Sequence, residues 1–163
     1  MHGGGQQRGR RSGTENVPGI AGLGLAAEKM CGELDVHRDH FFRLKKHFLE
    51  RIPEVDGAVV NACKTDSLDG TAPHIISVGF ARVRSEVLLH ALEEQEIYVS
   101  SGSACSSHHP GISGTLKAIG VPDALLDSTL RFSFSIFTEQ EEIDFTIDCL
   151  KRLVPMLARY QRG

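Results

Sequence analysis

A chain of 163 residues with 40% apolar residues and a formal charge of −3 can bury one ordinary core, and that charge gives no general affinity for nucleic acid. No apolar run reaches the length of a membrane span, and the opening Met1-His-Gly-Gly-Gly-Gln-Gln-Arg8 lacks the apolar stretch of a secretory signal. Cys31, Cys63, Cys105 and Cys149 are far apart with no C-x-x-C pair, so reduced thiols in a cytoplasmic protein are expected, with neither membrane nor nucleic acid as partner.

Residues 1–14 have no hydrophobic periodicity, so this arm is expected to need a surface to lean on, and residues 15–163 are expected to form the domain proper. Its glycines, with Arg8, Arg10, Arg11, Ser12 and Thr14, suit an anion, because N–H groups and hydroxyls can converge on phosphate. A frayed terminus has the same composition, and no Gly-Lys-Ser/Thr follows to make a P-loop.

Thr14 and Asn16 are candidate helix caps, with Pro18 in the first turn. Ile20, Leu23, Ala27, Met30, Leu34, Phe41, Leu44, Phe48 and Ile52 recur near helical spacing, with Lys29, Glu33, Arg38 and Lys45 among the charges between them. The pattern predicts a long helix that Gly22, Gly24 and Gly32 weaken or bend and Pro53 ends. Short strands are predicted over Ala58 to Asn61 and His74 to Phe80, the second with Ile76, Val78 and Phe80 on one face. Ser85 is the expected cap of a helix to about Glu96, with Val87, Leu88, Ala91 and Leu92 inward and the Glu93, Glu94, Glu96 run solvated.

A strand over Ile97 to Val99 then leads into Ser100-Ser-Gly-Ser-Ala-Cys-Ser-Ser-His-His-Pro-Gly111. Gly102 and the serines describe a solvated loop (about 100–112) with one thiol, Cys105, at its centre. A thiol so placed is either a nucleophile or an idle surface cysteine, and residue chemistry leaves both open. His108 and His109 are packed too tightly beside Cys105 for a tetrahedral site, so no metal is expected.

Ser113 caps a short predicted helix to Gly120, and Thr129 to Ile136 is the clearest strand, with Leu130, Phe132, Phe134 and Ile136 on one side and Arg131, Ser133 and Ser135 on the other. Thr138-Glu-Gln-Glu141 has capping-box spacing and opens a helix with Ile143, Ile147, Leu150, Val154 and Leu157 inward, which Pro155 is expected to kink or fray. Cys31 and Cys149 read as small core residues, and His37, His40, His47 and His90 as surface or boundary ones. The order of elements gives an α+β fold, a small, mainly antiparallel sheet covered by helices.

Two stretches, His2-Gly-Gly-Gly-Gln-Gln-Arg-Gly-Arg-Arg-Ser-Gly-Thr-Glu-Asn-Val-Pro-Gly19 and Ser100-Ser-Gly-Ser-Ala-Cys-Ser-Ser107 followed by Thr129-Leu-Arg-Phe-Ser133, resemble the C-terminal part of the NifS/IscS-type cysteine desulfurases, pyridoxal-phosphate (PLP) enzymes of the class V aminotransferase group. The resemblance spans essentially the whole chain and implies the small C-terminal domain of a fold-type I PLP enzyme. It also implies the chemistry: L-cysteine becomes L-alanine while Cys105 takes the sulfur as a persulfide. Arg131 would hold the substrate carboxylate, and Thr14 would reach the cofactor phosphate of the other subunit of a homodimer. The long cysteine loop resembles that of members passing sulfur to an iron–sulfur scaffold protein, which is the expected partner.

The family's Schiff-base lysine lies in a Ser-x-His-Lys motif upstream of the Gly-rich arm, and none of Lys29, Lys45, Lys46, Lys64, Lys117 and Lys151 sits in such a motif. Gln7 and Arg10 also depart from the family pattern. The chain is therefore expected to be a C-terminal portion, incomplete without a large PLP domain or second subunit and inactive alone. The rival expectations are a non-enzymatic persulfide carrier or interaction module, and a non-functional remnant.

Overall fold

Residues 3–61, 70–102 and 113–160 are described by the computed structural model. Cys63, Lys64, Cys105, His108 and His109 lie outside the described residues. Residues Met1–Val36 and His37–Gly163 form two compact units.

In the first unit the arm buries nothing and is held by hydrogen bonds. Ser12 Oγ donates to the Gly4 carbonyl at 3.0 Å, Gly13 N–H to Gln6 Oε1 at 3.2 Å, and Gln7 Nε2 to Glu15 Oε1 at 2.8 Å. Helix α1 (Val17–Gly32) starts as expected, with Asn16 Oδ1 accepting from Gly19 N–H at 3.1 Å and Pro18 in the first turn. It also buries no residue, so Cys31 is exposed and is not a core residue.

The expected continuous helix is two, because after Gly32 the backbone leaves helical geometry at Glu33 (φ −115, ψ 15) before α2 (Leu34–Arg51) begins. Pro53 falls in a 3-10 turn, Ile52–Glu54, that ends this segment.

Four strands, β1 (Ala58–Asn61), β2 (Ile75–Phe80), β3 (Ser100–Ser101) and β4 (Thr129–Ser133), form a sheet in the order β1-β2-β4-β3. Every described pairing is antiparallel, and the fold is α+β. Leu44 and Phe48 of α2, Leu88 and Leu92 of α3 (Ser85–Glu93), and Ile147 and Leu150 of α6 (Gln140–Tyr160) bury one sheet face with Ile76, Val78, Phe80, Leu130 and Phe132. Phe48 and Phe132 lie at its centre, their rings 5.0 Å apart. On the opposite face α5 (Asp123–Leu126) approaches β2 where Gly79 has no side chain: a Cβ there would be 3.2 Å from Leu125 Cβ. Leu125 and Leu126 join Leu116 of α4 (Gly114–Ala118) and Val121 in a second, smaller core. Polar residues among these apolar ones hid α5 from the sequence pattern.

Three expected strands or helices end elsewhere. Ile97 to Val99 is not a strand: Glu96 turns left-handed (φ 60), Ile97 N–H bonds back to the Leu92 carbonyl at 3.0 Å, and pairing starts only at Ser100. A cleft of about 580 Å³ opens there, with Ile97, Val99, Phe132 and Phe134 in its walls. β4 stops at Ser133, not Ile136, because Thr138 Oγ1 and Ser135 Oγ accept the N–H groups of Ser135 and Phe137 at 3.0 and 3.1 Å. Helix α3 stops at Glu93, and Ser85 is its first residue and not its cap, with its N–H taken by the Asp127 carbonyl at 2.8 Å. Val87, expected inward, is exposed.

At α6 the carboxylate that reaches back is Glu142, to Glu139 N–H at 2.8 Å, one residue later than the predicted box. Pro155 lies inside α6, which continues to Tyr160. Cys149 is buried, as expected. None of the described helices is long and apolar enough to cross a membrane.

Candidate active site

Arg131 is the third residue of β4, and strand alternation decides where it points. Leu130 and Phe132 enter the core, so Arg131 projects from the opposite face and is exposed. On that face its cross-strand neighbours are Ser77 on β2 and Ser100 on β3, a row of three polar side chains over three strands.

The guanidinium bonds to one of the two serines. Arg131 Nη2 donates to Ser100 Oγ at 3.2 Å. Ser77 is already engaged, since Asn61 Nδ2 donates both to Ser77 Oγ and to Thr129 Oγ1, each at 3.2 Å. Thr129 in turn donates to the Leu125 carbonyl at 2.7 Å. Asn61, Ser77 and Thr129 beneath Arg131 are thus linked to one another, and the bond of the guanidinium to Ser100, through Nη2, leaves the rest of a fork whose geometry can match a carboxylate.

Ser100 also opens the segment that carries Cys105. β3 ends at Ser101, Gly102 follows, and the chain is described again at Ser113, whose Oγ caps α4 by accepting Leu116 N–H at 3.4 Å. Gly102 and Ser113 are packed together, with 3.3 Å from a Cβ built on Gly102 to Ser113 Cβ. Cys105 stands three residues beyond Gly102 in the sequence, outside the described residues.

Thr14 belongs to the first unit and is exposed. Its carbonyl is held by Arg11 Nη1 at 3.2 Å, which also donates to the Gly13 carbonyl at 2.6 Å.

The fit of PLP turns on lysine. Lys45, only 2% exposed, donates from Nζ to Thr71 Oγ1 at 3.0 Å and to the carbonyls of Ala72 and Ile75 at 2.9 and 3.1 Å. An ammonium so bonded is a structural cation, not an amine free for a carbonyl. Lys46 is paired with Glu50 at 3.8 Å and Lys151 with Glu54 at 2.8 Å, while Lys29 and Lys117 are exposed on helices. The described residues do not fit the whole cofactor.

Sequence reasoning missed Ser100 and Lys45. Ser100 was unreachable while the strand was placed over Ile97 to Val99. Lys45 was legible, since it stands four residues after Phe41 and three before Phe48, on the inward stripe.

A family model, aminotransferase class-V, matches residues 3–145. The cysteine desulfurase IscS of Vibrio cholerae serotype O1 is 40% identical over 157 residues, 96% of this chain and 37% of that protein. The cysteine desulfurase IscS of Dictyoglomus turgidum is 34% identical over 158 residues, covering 96% and 39%. Among solved structures, a NifS-like protein aligns with a TM-score of 0.78 at 30% identity, over 96% of this chain and 39% of the other. The NifS-like protein of Rickettsia africae, with a TM-score of 0.76 at 23% identity over 93% and 38%, has the same fold. This chain spans well under half the length of these relatives.

Proposed function

This chain belongs to the aminotransferase class-V family, and on that premise we propose that it is the sulfur-accepting portion of a cysteine desulfurase that converts L-cysteine to L-alanine. The observation that carries the reading is the bond from Arg131, a group suited to a carboxylate, to Ser100, which stands five residues before Cys105 in the sequence.

In this reading the Cys105 thiolate forms an S–S bond with the substrate sulfur as the substrate's Cβ–S bond breaks. The electron pair stays with carbon, which takes a proton to give the methyl group of alanine. PLP, the cofactor of this family, would supply the electron sink, with its Schiff-base lysine contributed by residues other than those described. Arg131 orients the substrate through two parallel N–H···O bonds. Thr14 contributes a hydroxyl to the cofactor phosphate of the other subunit in a homodimer. The persulfide on Cys105 then passes to an iron–sulfur scaffold protein, as the length and composition of the cysteine segment and its likeness to the IscS relatives support.

The test is direct. Incubated with a small-molecule persulfide donor, the chain should gain one sulfur atom by intact mass, and a Cys105→Ala variant should gain none. With PLP and L-cysteine the chain alone should release no alanine, whereas a companion portion bearing the His-Lys motif should restore release. Sulfur uptake unchanged in Cys105→Ala would overturn the assignment.

A further inference from the structure

We propose that Ser100 is a positioning residue for Arg131, holding the guanidinium on the β3 side of the sheet face in readiness for a substrate carboxylate. The inference rests on the reading of Arg131 as the carboxylate-binding group.

Arg131 is exposed, with no aromatic plane or carboxylate against it among the described residues. A long side chain in that setting samples many rotamers, and only a bond from the protein narrows them. Of the two serines flanking it in register, Ser77 accepts from Asn61 while Ser100 accepts from Arg131, so Ser100 is the one that fixes the direction of the guanidinium.

The register is itself secured. Ser100 pairs with Arg131 and Ser101 with Leu130, so a slip by one residue would turn Ser100 to the buried side and break the bond. Gly102 packed on Ser113 resists such a slip at the next residue. A guanidinium held at one end of its fork binds a carboxylate with less ordering left to do, so its loss should weaken binding while leaving the chemistry of the bound substrate largely intact.

The experiment uses the 163-residue chain labelled with ¹⁵N-arginine. Nuclear relaxation at Arg131 Nε reports positioning without any ligand, and titration with L-alanine, which carries the same carboxylate as the substrate, reports binding. Ser100→Ala should raise the mobility of Arg131 to that of an unbonded surface arginine and weaken alanine binding by roughly two- to tenfold, the cost of ordering one more long side chain on binding. Ser100→Thr, which keeps the hydroxyl, should restore both, and the amide spectra of both variants should remain those of a folded chain. Unchanged Arg131 mobility in Ser100→Ala, or failure of Ser100→Thr to restore it, overturns the proposal. A mobility change without alanine binding upholds Ser100 as the residue that positions Arg131 and overturns the assignment of Arg131 to a carboxylate.

Discussion

Gly102 and Ser113 close the root of the Cys105 segment, packed so that a Cβ on Gly102 would meet Ser113 Cβ at 3.3 Å and Leu116 Cδ1 at 3.5 Å. Two described residues thus bracket the stretch that carries Cys105, the thiol on which the proposed function depends.

Filling that contact should loosen the root. Gly102→Val adds two methyl groups beyond the Cβ against Ser113 and Leu116, and overpacking of this kind costs about 1–3 kcal/mol. The expected result is a lower urea midpoint together with slower sulfur uptake by Cys105 in the persulfide assay. Wild-type stability in Gly102→Val would show that the two ends are free to separate.

Arg131→Lys separates binding from folding. The side chain is exposed, so unfolding free energy should stay within about 0.5 kcal/mol of wild type. Lysine keeps the charge and loses the planar two-point fork, so alanine binding measured by chemical-shift titration should fall by at least roughly tenfold. Equal affinity in the lysine variant would mean that charge alone is recognised.

Lys45→Met should unfold the domain more readily than any surface change. The substitution keeps an apolar stem of similar length but removes the ammonium's bonds to Thr71 Oγ1 and to the carbonyls of Ala72 and Ile75. These acceptors are exposed or half-buried, and hydrogen bonds to a charged group contribute about 1.5–3 kcal/mol, so a loss of roughly 1–3 kcal/mol is expected by urea denaturation. A neutral or stabilising outcome would show that the desolvation of the ammonium outweighs its three bonds.

The sheet and most of its cover were legible because they follow from local rules: alternation in Ile76, Val78 and Phe80, helical spacing in Ile143, Ile147 and Leu150, and caps at Asn16 and Ser113. Alternation along β4 is also sufficient to turn Arg131 away from the core. What escaped depends on contacts distant in sequence. Pairing begins at Ser100 and not Ile97 because a left-handed Glu96 and a bond back to Leu92 decide the exit from α3. Cys31 misled for a related reason: the periodicity of α1 is real, yet that helix buries nothing within this chain. Cys105 was singled out by composition alone, and its placement lies outside the described residues.

Acid should release the clamp between α2 and α6. Arg51 donates to Glu54 at 3.0 Å, Asp144 at 2.7 Å and Asp148 at 3.1 Å, and Lys151 donates to Glu54 at 2.8 Å. The Arg51 guanidinium, and then Lys151, hold the Glu54 carboxyl at about 2, below its ordinary 4.5. Arg51, and then His47, likewise lower Asp144. A carboxyl depressed in the folded state stabilises above its unfolded pKa, and that contribution is lost as pH falls through the folded value. Stability should therefore decline from about pH 4.5 towards pH 2, and Glu54→Gln should flatten part of that decline. Urea midpoints across this range decide it, and parallel curves for wild type and variant would remove Glu54 from the account.

Core and first helix should respond oppositely to substitution. Phe132 is 5% exposed, stacked near Phe48 in the central strand pair, and Phe132→Ala removes a ring that the surrounding side chains cannot replace, at about 3–5 kcal/mol. Leu23 in α1 is 71% exposed, so Leu23→Gln removes no buried contact and should move the unfolding free energy by no more than about 0.5 kcal/mol. The same contrast should appear in hydrogen exchange, where amides of α1, a helix with four glycines and no buried face, exchange far faster than those of α6 around Ile147 and Leu150. If Leu23→Gln proved as damaging as Phe132→Ala, α1 would have to bury its apolar residues within this chain, against the exposure of Val17, Ile20 and Leu23.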